Sequence, residues 1–426
     1  MISLKEKRSI WISAMIALLL LPGVALAAIP GITGPSFNLT AKSGSIIVDD
    51  GSVIYMWGYA NGVAQMQYPG PTLIVTEGDA VTITLTNQLT VPVSIVFPGQ
   101  TGVTAAGGTL GLLTNEATIG TPVTYSFTAG QPGTYTYYSG TQPELQVEMG
   151  LIGTLIVRPI MGPKFAYNDA TTAFDREYLF FLSEVDHLVH QKALLKKFDQ
   201  INNTDAYPVY WFINGRAGMD TVVGNGDPMF PSQPYGALVA MNPTEKVLVR
   251  MVGGGRDLHP LHLHGNHSRL IARDGRLLES AGSILSEGTF TVSVGPGQTF
   301  DELFTWTGKD VGWDVFGTVD ANPHTCTPDP DGFDAVTREW CADHNKPLPV
   351  ILPDIKDILL GPLYTGSPLL GGAGTLPPGE GGFNPFNAYA FMWHSHSEKE
   401  LTSNNIFPGG MLTWALVVPP GVLAPE

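Results

Sequence analysis

The sequence predicts an all-β protein built from two β-sandwich domains, and three observations support this prediction. Hydrophobic residues make up 43% of the 426 residues and charged residues only 14%, which provides enough apolar material for a large core. Glycine (50) and proline (34) together form about a fifth of the chain, well above their average share of about 12%. Short segments of alternating polarity lie between these turn-forming residues, as expected for β-strands.

The first sandwich is predicted over residues 28–160. Its clearest strand signal is the alternation of Val81, Ile83 and Leu85 with threonines, the period-two pattern of a strand. Further strands are predicted over residues 134–138 and 154–157. Gly- and Pro-rich turns separate these segments, so the region is expected to fold as one turn-rich domain.

The second sandwich is predicted over residues 161–420 and is followed by a short tail, 421–426. Its predicted strands cover residues 178–182, 246–252, 290–294, 300–306 and 412–418. A Pro- and Gly-rich insertion at about 318–387 interrupts this domain and holds both cysteines. Loops of this length are usually lids, interaction surfaces or flexible segments, and the sequence leaves these alternatives open.

A short helix is predicted over residues 185–198, where several leucines are interspersed with lysines. His187 and His190 lie three residues apart in it and could share a helix face. We favour an exposed polar insertion over a metal site as the interpretation of this segment.

The N-terminus has the pattern of a secretory signal peptide, predicted as residues 1–27. Basic residues precede an apolar stretch at 10–21, which is too short to span a bilayer, and Ala-Leu-Ala at 25–27 fits the cleavage rule. A periplasmic or secreted protein is therefore expected, and an uncleaved anchor is the alternative. Elsewhere the sequence has no stretch long and apolar enough to cross a membrane.

The net charge limits the possible binding partners, and the cysteine content predicts a disulfide. The formal net charge of −16 argues against nucleic acid, whose phosphates require basic residues, and mildly favours cationic partners or metal ions. Cys326 and Cys341 are the only cysteines, and a disulfide between them is the simplest prediction for an exported chain. A copper thiolate is the disfavoured alternative, because neither cysteine lies in a ligand-like motif.

Two histidine-rich segments are the strongest functional signals. His259, His262 and His264 lie within six residues, and His394 and His396 form a second pair. Since residues i and i+2 of a strand point to one face, two such pairs on different strands can place four imidazoles around one cavity. Neutral imidazole suits copper or zinc, so a metal site is predicted, and histidines that only hydrogen-bond within the core are the alternative.

At these histidines the sequence resembles the multicopper oxidases. The other segments that carry this resemblance are residues 68–72, 77–79, 87–89, 133–135 and 150–157 in the first domain, and 213–215, 272–275, 296–298 and 410–411 in the second. With two sandwiches, the chain is most similar to the two-domain oxidases and copper nitrite reductases. The resemblance implies cupredoxin-like Greek-key sandwiches, bound copper, and a homotrimer with copper sites between subunits.

Four copper-ligand histidines of that family are absent from the first domain. The family's first two His-rich motifs correspond to residues 96–99 (Val-Phe-Pro-Gly) and 138–140 (Tyr-Ser-Gly). The family's trinuclear cluster takes eight histidines from four motifs, whereas this chain keeps half of them. The remaining residues are His262, His264, His394 and His396. Four imidazoles can hold one metal ion, so a mononuclear site is predicted, with copper favoured and zinc possible.

The type 1 copper site of the family is also altered. That site requires a cysteine thiolate, two imidazoles and usually a weak axial methionine. By resemblance, Ser395 replaces the thiolate and Glu400 replaces one imidazole, which leaves His259 and Met411. This site is therefore not expected to be blue or to relay electrons. The residues predicted as additional ligands or orienting groups around the four histidines are His259, His267, Glu398 and Glu400.

Three functions stay open on the sequence. The absence of the four first-domain histidines favours an exported copper-binding protein that does not carry out four-electron reduction of oxygen. The second function is an oxidoreductase with a non-standard mononuclear copper site and a small-molecule or metal-ion reductant. The third is a metal-free scaffold or interaction protein in which the histidines only pack. Whether the chain is an enzyme is left open.

Overall fold

The computed structural model describes residues 29–280, 283–316, 323–347 and 389–418, together with residue 423. The predicted signal peptide, most of the predicted insertion and nearly all of the predicted tail lie outside these residues. Among the described residues, no helix is both long and apolar enough to span a membrane.

The first part of the chain is rich in short strands. The strands are β1 (Ile32–Thr33), β2 (Ser36–Ile47), β3 (Val53–Asn61), β4 (Leu73–Thr76), β5 (Ala80–Asn87), β6 (Thr104–Gly107), β7 (Thr109–Leu110), β8 (Asn115–Glu116), β9 (Val123–Thr128), β10 (Gly133–Tyr138) and β11 (Ile152–Arg158), with helix α1 (Pro143–Gln146) before β11. One sheet has the order β1-β4-β11-β10, and a second has the order β3-β2-β5-β9-β6. An apolar core with side chains from both sheets lies between them.

Strand β5 shows why this segment is extended. Val81, Ile83 and Leu85 are buried, whereas the threonines between them are half-buried. β-Branched residues on both faces favour the pleated conformation, and the apolar face enters the core. The predicted strand is confirmed.

The second part of the chain contains the remaining strands. They are β12 (Arg176–Val185), β13 (Tyr210–Ile213), β14 (Val239–Met241), β15 (Lys246–Gly253), β16 (His259–Leu263), β17 (Ser268–Arg273), β18 (Arg276–Leu277), β19 (Glu279–Ser280), β20 (Ser283–Ile284), β21 (Glu287–Thr289), β22 (Thr291–Val294), β23 (Thr299–Thr305), β24 (Tyr389–Ser395) and β25 (Leu412–Val417). Helix α2 covers His187–Leu194. Short 3-10 helices cover Ala170–Thr172, Phe198–Gln200, Asn203–Asp205, Gly218–Val222, Cys341–Asp343 and Glu398–Leu401.

Two further sheets form from these strands. One has the order β13-β12-β15-β23-β17-β18, with β21 also paired to β17, and the other has the order β14-β25-β24-β16-β22. A second apolar core takes side chains from both sheets. The predicted all-β class is confirmed, and the adjacent strands β16 and β24 carry the two histidine pairs. The domain bounds placed at residues 160 and 420 stay predictions.

A buried ion network connects strands of the first and second parts of the chain. The guanidinium of Arg250 on β15 lies 2.6 Å from Glu177 on β12 and 3.2 Å from Asp301 on β23. Thr134 on β10 donates a 2.6 Å hydrogen bond to Asp301, and Arg158 on β11 lies 2.5 Å from Glu177. Burial alone would raise the pKa of Glu177, but Arg250 and Arg158 outweigh it and lower that pKa. These paired charges fix how β10 and β11 lie against β12, β15 and β23.

Helix α2 lies within the predicted helical segment, and Asp186 precedes it. The Asp186 carboxylate accepts hydrogen bonds from the backbone N–H groups of Leu188 and Tyr207, both at 2.9 Å. His187 is exposed, but His190 is buried and its Nδ1 lies 2.6 Å from the carbonyl oxygen of Tyr55. The interpretation as an exposed polar insertion is therefore correct for His187 and wrong for His190, because α2 packs one face against β3.

The Asp186→Ala substitution is expected to lower the free energy of unfolding by about 1–2 kcal/mol, because two backbone N–H groups lose their acceptor. Denaturant unfolding measures this change. The matched control is Asp199→Ala, an exposed carboxylate in the same segment, for which a change within about 0.5 kcal/mol is expected. Equal effects of the two substitutions would contradict the role of Asp186 as the N-terminal cap of α2.

Candidate metal centre

The two histidine pairs lie on neighbouring antiparallel strands. The register of β16 and β24 places His262 directly opposite His394. His264 follows the end of β16 and His396 follows the end of β24. Because alternate residues of a strand share a face, both pairs project toward the same side of this sheet.

The four imidazole rings form one cluster. The ring centroids of His264 and His394 are 4.8 Å apart, and those of His262 and His396 are 4.9 Å apart. The His262 ring lies 5.2 Å from that of His264 and 5.7 Å from that of His394. The Nε2 atoms of His264 and His394 are only 2.8 Å apart. The structure therefore brings these four predicted residues together.

Hydrogen bonds to the outer nitrogens orient two of these rings. Nδ1 of His394 donates to the carbonyl oxygen of Ser395 at 2.6 Å, and Nδ1 of His262 lies 2.8 Å from Oγ1 of Thr291. Metal-binding histidines usually make such a bond with the nitrogen that does not face the metal. In the neutral form of His394, this bond leaves Nε2 with its lone pair toward His264.

Burial and the neighbouring rings favour neutral imidazoles. Burial lowers the pKa of His394 to about 4, and the adjacent histidines act in the same direction. Burial also lowers the pKa of His262, with further lowering from His264 and His396. Neutral imidazole is the form that binds metals.

Two of the four donor nitrogens have nearly the spacing that a single first-row metal ion requires. Metal–nitrogen bonds of about 2.0–2.1 Å separate two tetrahedral ligands by about 3.3 Å. The 2.8 Å contact between the Nε2 atoms of His264 and His394 would need to widen by only about 0.5 Å. The centre opens to solvent on the side of His396, whose side chain is 55% exposed.

His259 lies apart from this cluster, although it was predicted as a ligand with the other four. It is fully buried on the opposite face of β16, because it is an odd number of residues from His262. Its Nδ1 lies 2.9 Å from Oε2 of Glu400, and its Nε2 lies 3.0 Å from Oε2 of Glu184. Burial alone would lower the pKa of His259, but the hydrogen bonds and charges of the two carboxylates outweigh it and raise the pKa to about 9.

This buried Glu184–His259–Glu400 group occupies the region that the resemblance assigns to a type 1 site. Ser395 is fully buried, and its backbone N–H donates to the carbonyl oxygen of Met411 at 3.0 Å. The N–H of Met411 donates to the carbonyl oxygen of Glu400 at 2.7 Å. The four positions that the resemblance assigns to that site are therefore neighbours. Sequence analysis missed Glu184, which stands in the buried strand β12 without any local motif.

The other predicted accessory residues are more distant. His267 is exposed, and its ring lies 5.1 Å from that of Phe290. Glu398 is 80% exposed, and its carboxylate is 3.9 Å from Nδ1 of His396, which is too long for a hydrogen bond. Glu400 does orient an imidazole, but the imidazole is that of His259.

The two motif positions without histidine in the first domain are filled by packed side chains. Val96 forms an antiparallel bridge with Tyr138, so the two positions lie side by side. The buried ring of Phe97 packs at a tilt against that of Phe127, with their centroids 5.0 Å apart. Ser139 is fully buried and donates to Oε1 of Gln146 at 2.6 Å. The sequence has no histidine at all before His187.

Cys326 and Cys341 form a disulfide, with Cα atoms 5.5 Å apart. The predicted pairing is confirmed, and neither sulfur is available as a thiolate ligand in this state.

Comparisons with known proteins agree with this fold. Residues 43–161 match the family model described as a multicopper oxidase. The chain is 28% identical over 250 residues to the copper-containing nitrite reductase of Alcaligenes xylosoxydans xylosoxydans, which covers 56% of this chain and 69% of that protein. It is 26% identical over 252 residues to a probable nitrite reductase-hydroxylamine oxidoreductase fusion protein of Kuenenia stuttgartiensis, covering 58% of this chain. This second match spans only 26% of the relative's length.

Among solved structures, the fold is similar to that of the blue copper oxidase from Nitrosomonas europaea. The TM-score is 0.57 at 18% identity, and the match covers 89% of this chain and 85% of the other. This likeness concerns the fold alone. The chain thus contains a multicopper oxidase domain at residues 43–161 and is related in sequence to copper-containing nitrite reductases.

Proposed function

We propose that the chain is an exported copper-binding protein of the multicopper oxidase family and that it holds one copper ion in a mononuclear site. The proposed ligands are His262, His264, His394 and His396. The observation that carries the proposal is the convergence of four imidazoles, with two Nε2 atoms 2.8 Å apart. A metal ion between them would replace the proton on Nε2 of His264 and use the lone pairs of both rings.

Copper is the metal that the donor set and the relatives favour. Imidazole is a good ligand for copper, which also stands above zinc in the affinity order of first-row metals. The nitrite reductase relative is named as a copper enzyme. When bound, copper supplies a one-electron redox couple; the protein residues hold it and, through Thr291 and the Ser395 carbonyl, orient its ligands.

We also propose that this chain has no type 1 site and no trinuclear cluster. Ser395 offers no thiolate, and His259 is held between two carboxylates instead of facing an open coordination position. The missing first-domain histidines leave Phe97 and Ser139 in packed, hydrogen-bonded positions. An electron relay to a multinuclear centre is therefore not expected, and four-electron reduction of oxygen is not part of the proposed function.

The test is the copper content of the exported protein, purified from the periplasm or medium and expected to begin at residue 28. After copper loading and dialysis, we expect about one copper per chain and an electron paramagnetic resonance signal without blue colour. The His264→Ala/His394→Ala variant should retain at least about tenfold less copper. The matched control is His187→Ala, an exposed histidine outside the cluster, which should keep its copper.

Two outcomes would overturn the proposal: no retained copper in the unmodified protein, or unchanged copper in the double variant. The same preparation tests the homotrimer that the resemblance implies, through its mass by light scattering. Turnover of small-molecule reductants that disappears in the double variant would favour the oxidoreductase alternative.

A further inference from the structure

A second group of possible metal ligands lies in the described part of the insertion. Nε2 of His324 is 2.6 Å from Oε2 of Glu339, and Nδ1 of His344 is 2.9 Å from Oε1 of the same carboxylate. The two imidazole rings have centroids 4.7 Å apart. One ligand atom from each of the three residues lies within 4.8 Å of the others. Three side chains therefore direct nitrogen and oxygen atoms toward one point.

The hydrogen bonds of His344 show which of its nitrogens faces the group. Its Nε2 lies 3.2 Å from the carbonyl oxygen of His324, which can only accept, so Nε2 carries a proton. In the neutral ring, Nδ1 then directs its lone pair at Glu339 and at Asp314, whose Oδ2 is 3.5 Å away. A lone pair and two carboxylates repel one another unless a cation lies between them. The bond from Nε2 to a carbonyl is also the usual support of a metal-binding histidine.

Burial increases the need for that cation. The Glu339 side chain is only 2% exposed, and those of His324 and His344 are 19% and 12% exposed. A carboxylate this deeply buried requires a positive partner. The two imidazoles provide this positive charge only if they carry additional protons. Otherwise a metal ion bound by them must provide it.

The surrounding covalent and hydrogen bonds hold the three residues in place. The Cys326–Cys341 disulfide joins the chain two residues after His324 to the chain two residues after Glu339. The Asp314 carboxylate accepts a 2.9 Å hydrogen bond from the N–H of Asn345, next to His344. The ligand positions are thus fixed by the fold of the insertion and not by its solvent-exposed side chains.

We propose that His324, Glu339 and His344 bind a divalent first-row transition-metal ion, with the Asp314 carboxylate within reach as a fourth ligand. Two imidazoles with carboxylates form a donor set suited to Zn²⁺, and a site in which protein groups fill every position is structural. The ion would neutralise the buried carboxylates and stabilise the insertion. This site uses none of the four histidines assigned to copper. Because Cu²⁺ would also compete for it, the copper content above is measured in the His324→Gln/His344→Gln variant as well, so that each proposal can fail without the other.

The test uses full-length protein in the His264→Ala/His394→Ala background, which removes the copper site. After treatment with a chelator, the protein is titrated with Zn²⁺ and, in a parallel sample, with Co²⁺. No reductant is added, because reduced cysteines would themselves bind these metals. We expect about one retained zinc ion per chain, and visible Co²⁺ absorption bands of a tetrahedral site.

Adding His324→Gln/His344→Gln to this background should reduce zinc affinity at least about tenfold and remove the Co²⁺ bands. Zinc should raise the melting temperature of the background protein but not that of the variant with His324→Gln/His344→Gln added. A cooperative melting transition of that variant without zinc shows that it has lost binding and not its fold. The matched control is His187→Gln, an exposed histidine. Zinc binding that survives His324→Gln/His344→Gln, or no zinc binding by the background protein, would overturn the proposal.

Discussion

Replacing His259 with alanine is expected to lower the free energy of unfolding by about 3–5 kcal/mol, because it leaves two buried carboxylates without the cation between them. Glu184 and Glu400 contact opposite nitrogens of the His259 ring at 3.0 and 2.9 Å. The ring is fully buried and the two carboxylates are buried beside it, so they have little contact with bulk water that could compensate for its loss. Denaturant unfolding near neutral pH measures the loss. The matched control is His187→Ala, an exposed histidine, which should change the free energy by less than about 0.5 kcal/mol.

The same group predicts how stability depends on pH. The pKa of His259 is raised to about 9 in the folded protein, against about 6.5 in an unfolded chain. Its stabilisation is therefore fully present below about pH 6.5 and is lost as the pH rises through about 9, by roughly 3 kcal/mol in total. The charged groups that act on it are Glu184 and Glu400, and Asp257 interacts with these carboxylates, with His259 and with Lys399. Burial and then the charge of Glu184 raise the pKa of Asp257.

Unfolding free energies measured at several pH values between about 6 and 9.5 test this dependence. The unmodified protein should lose stability across that range, and His259→Ala should remove most of the slope. A variant that stays within about 1 kcal/mol of the unmodified protein, or that keeps the same slope, would contradict a charged His259.

Restoring a thiolate and an imidazole beside His259 is expected to turn a colourless protein blue. The Ser395→Cys/Glu400→His variant would supply the two ligands that a type 1 site requires in addition to His259, with Met411 as a weak axial group. The geometry favours this result, because the Glu400 carboxylate already contacts Nδ1 of His259, and Ser395 bonds to the backbone of Met411. Glu184 would remain at Nε2 of His259 to orient the ring.

The measurement is the visible absorption and electron paramagnetic resonance spectrum after copper loading. Intense thiolate-to-copper absorption should appear in the double variant only. The matched control is Glu400→His alone, which adds the imidazole without a thiolate. Blue colour in the unmodified protein would contradict the absence of a type 1 site, and a colourless copper-loaded double variant would show that these positions no longer form one.

The sequence alone predicted several parts of the molecule because they depend on local periodicity. The alternation around Ile83 predicted strand β5, and the spacing of two residues within each histidine pair predicted that both members face one side. The resemblance also predicted Ser395 and Glu400 as substituted ligand positions, and this stays a prediction. The Cys326–Cys341 pairing followed from having only two cysteines.

Other parts depended on contacts between residues far apart in the chain. Glu184 lies 75 residues before His259 and Glu400 lies 141 residues after it, so no local pattern could reveal the ion group they form. His324 and Glu339 are separated by 15 residues in an insertion without periodicity.

What the sequence by itself determined was the all-β class, the disulfide and the pairing of histidines on strands. What the tertiary structure decided was which imidazoles meet. Four converge because β16 and β24 are adjacent and in register, whereas His259 faces the core, where two buried carboxylates are its nearest charged partners. Strand periodicity sets the face of each side chain, but only the packing of distant strands sets what that face meets.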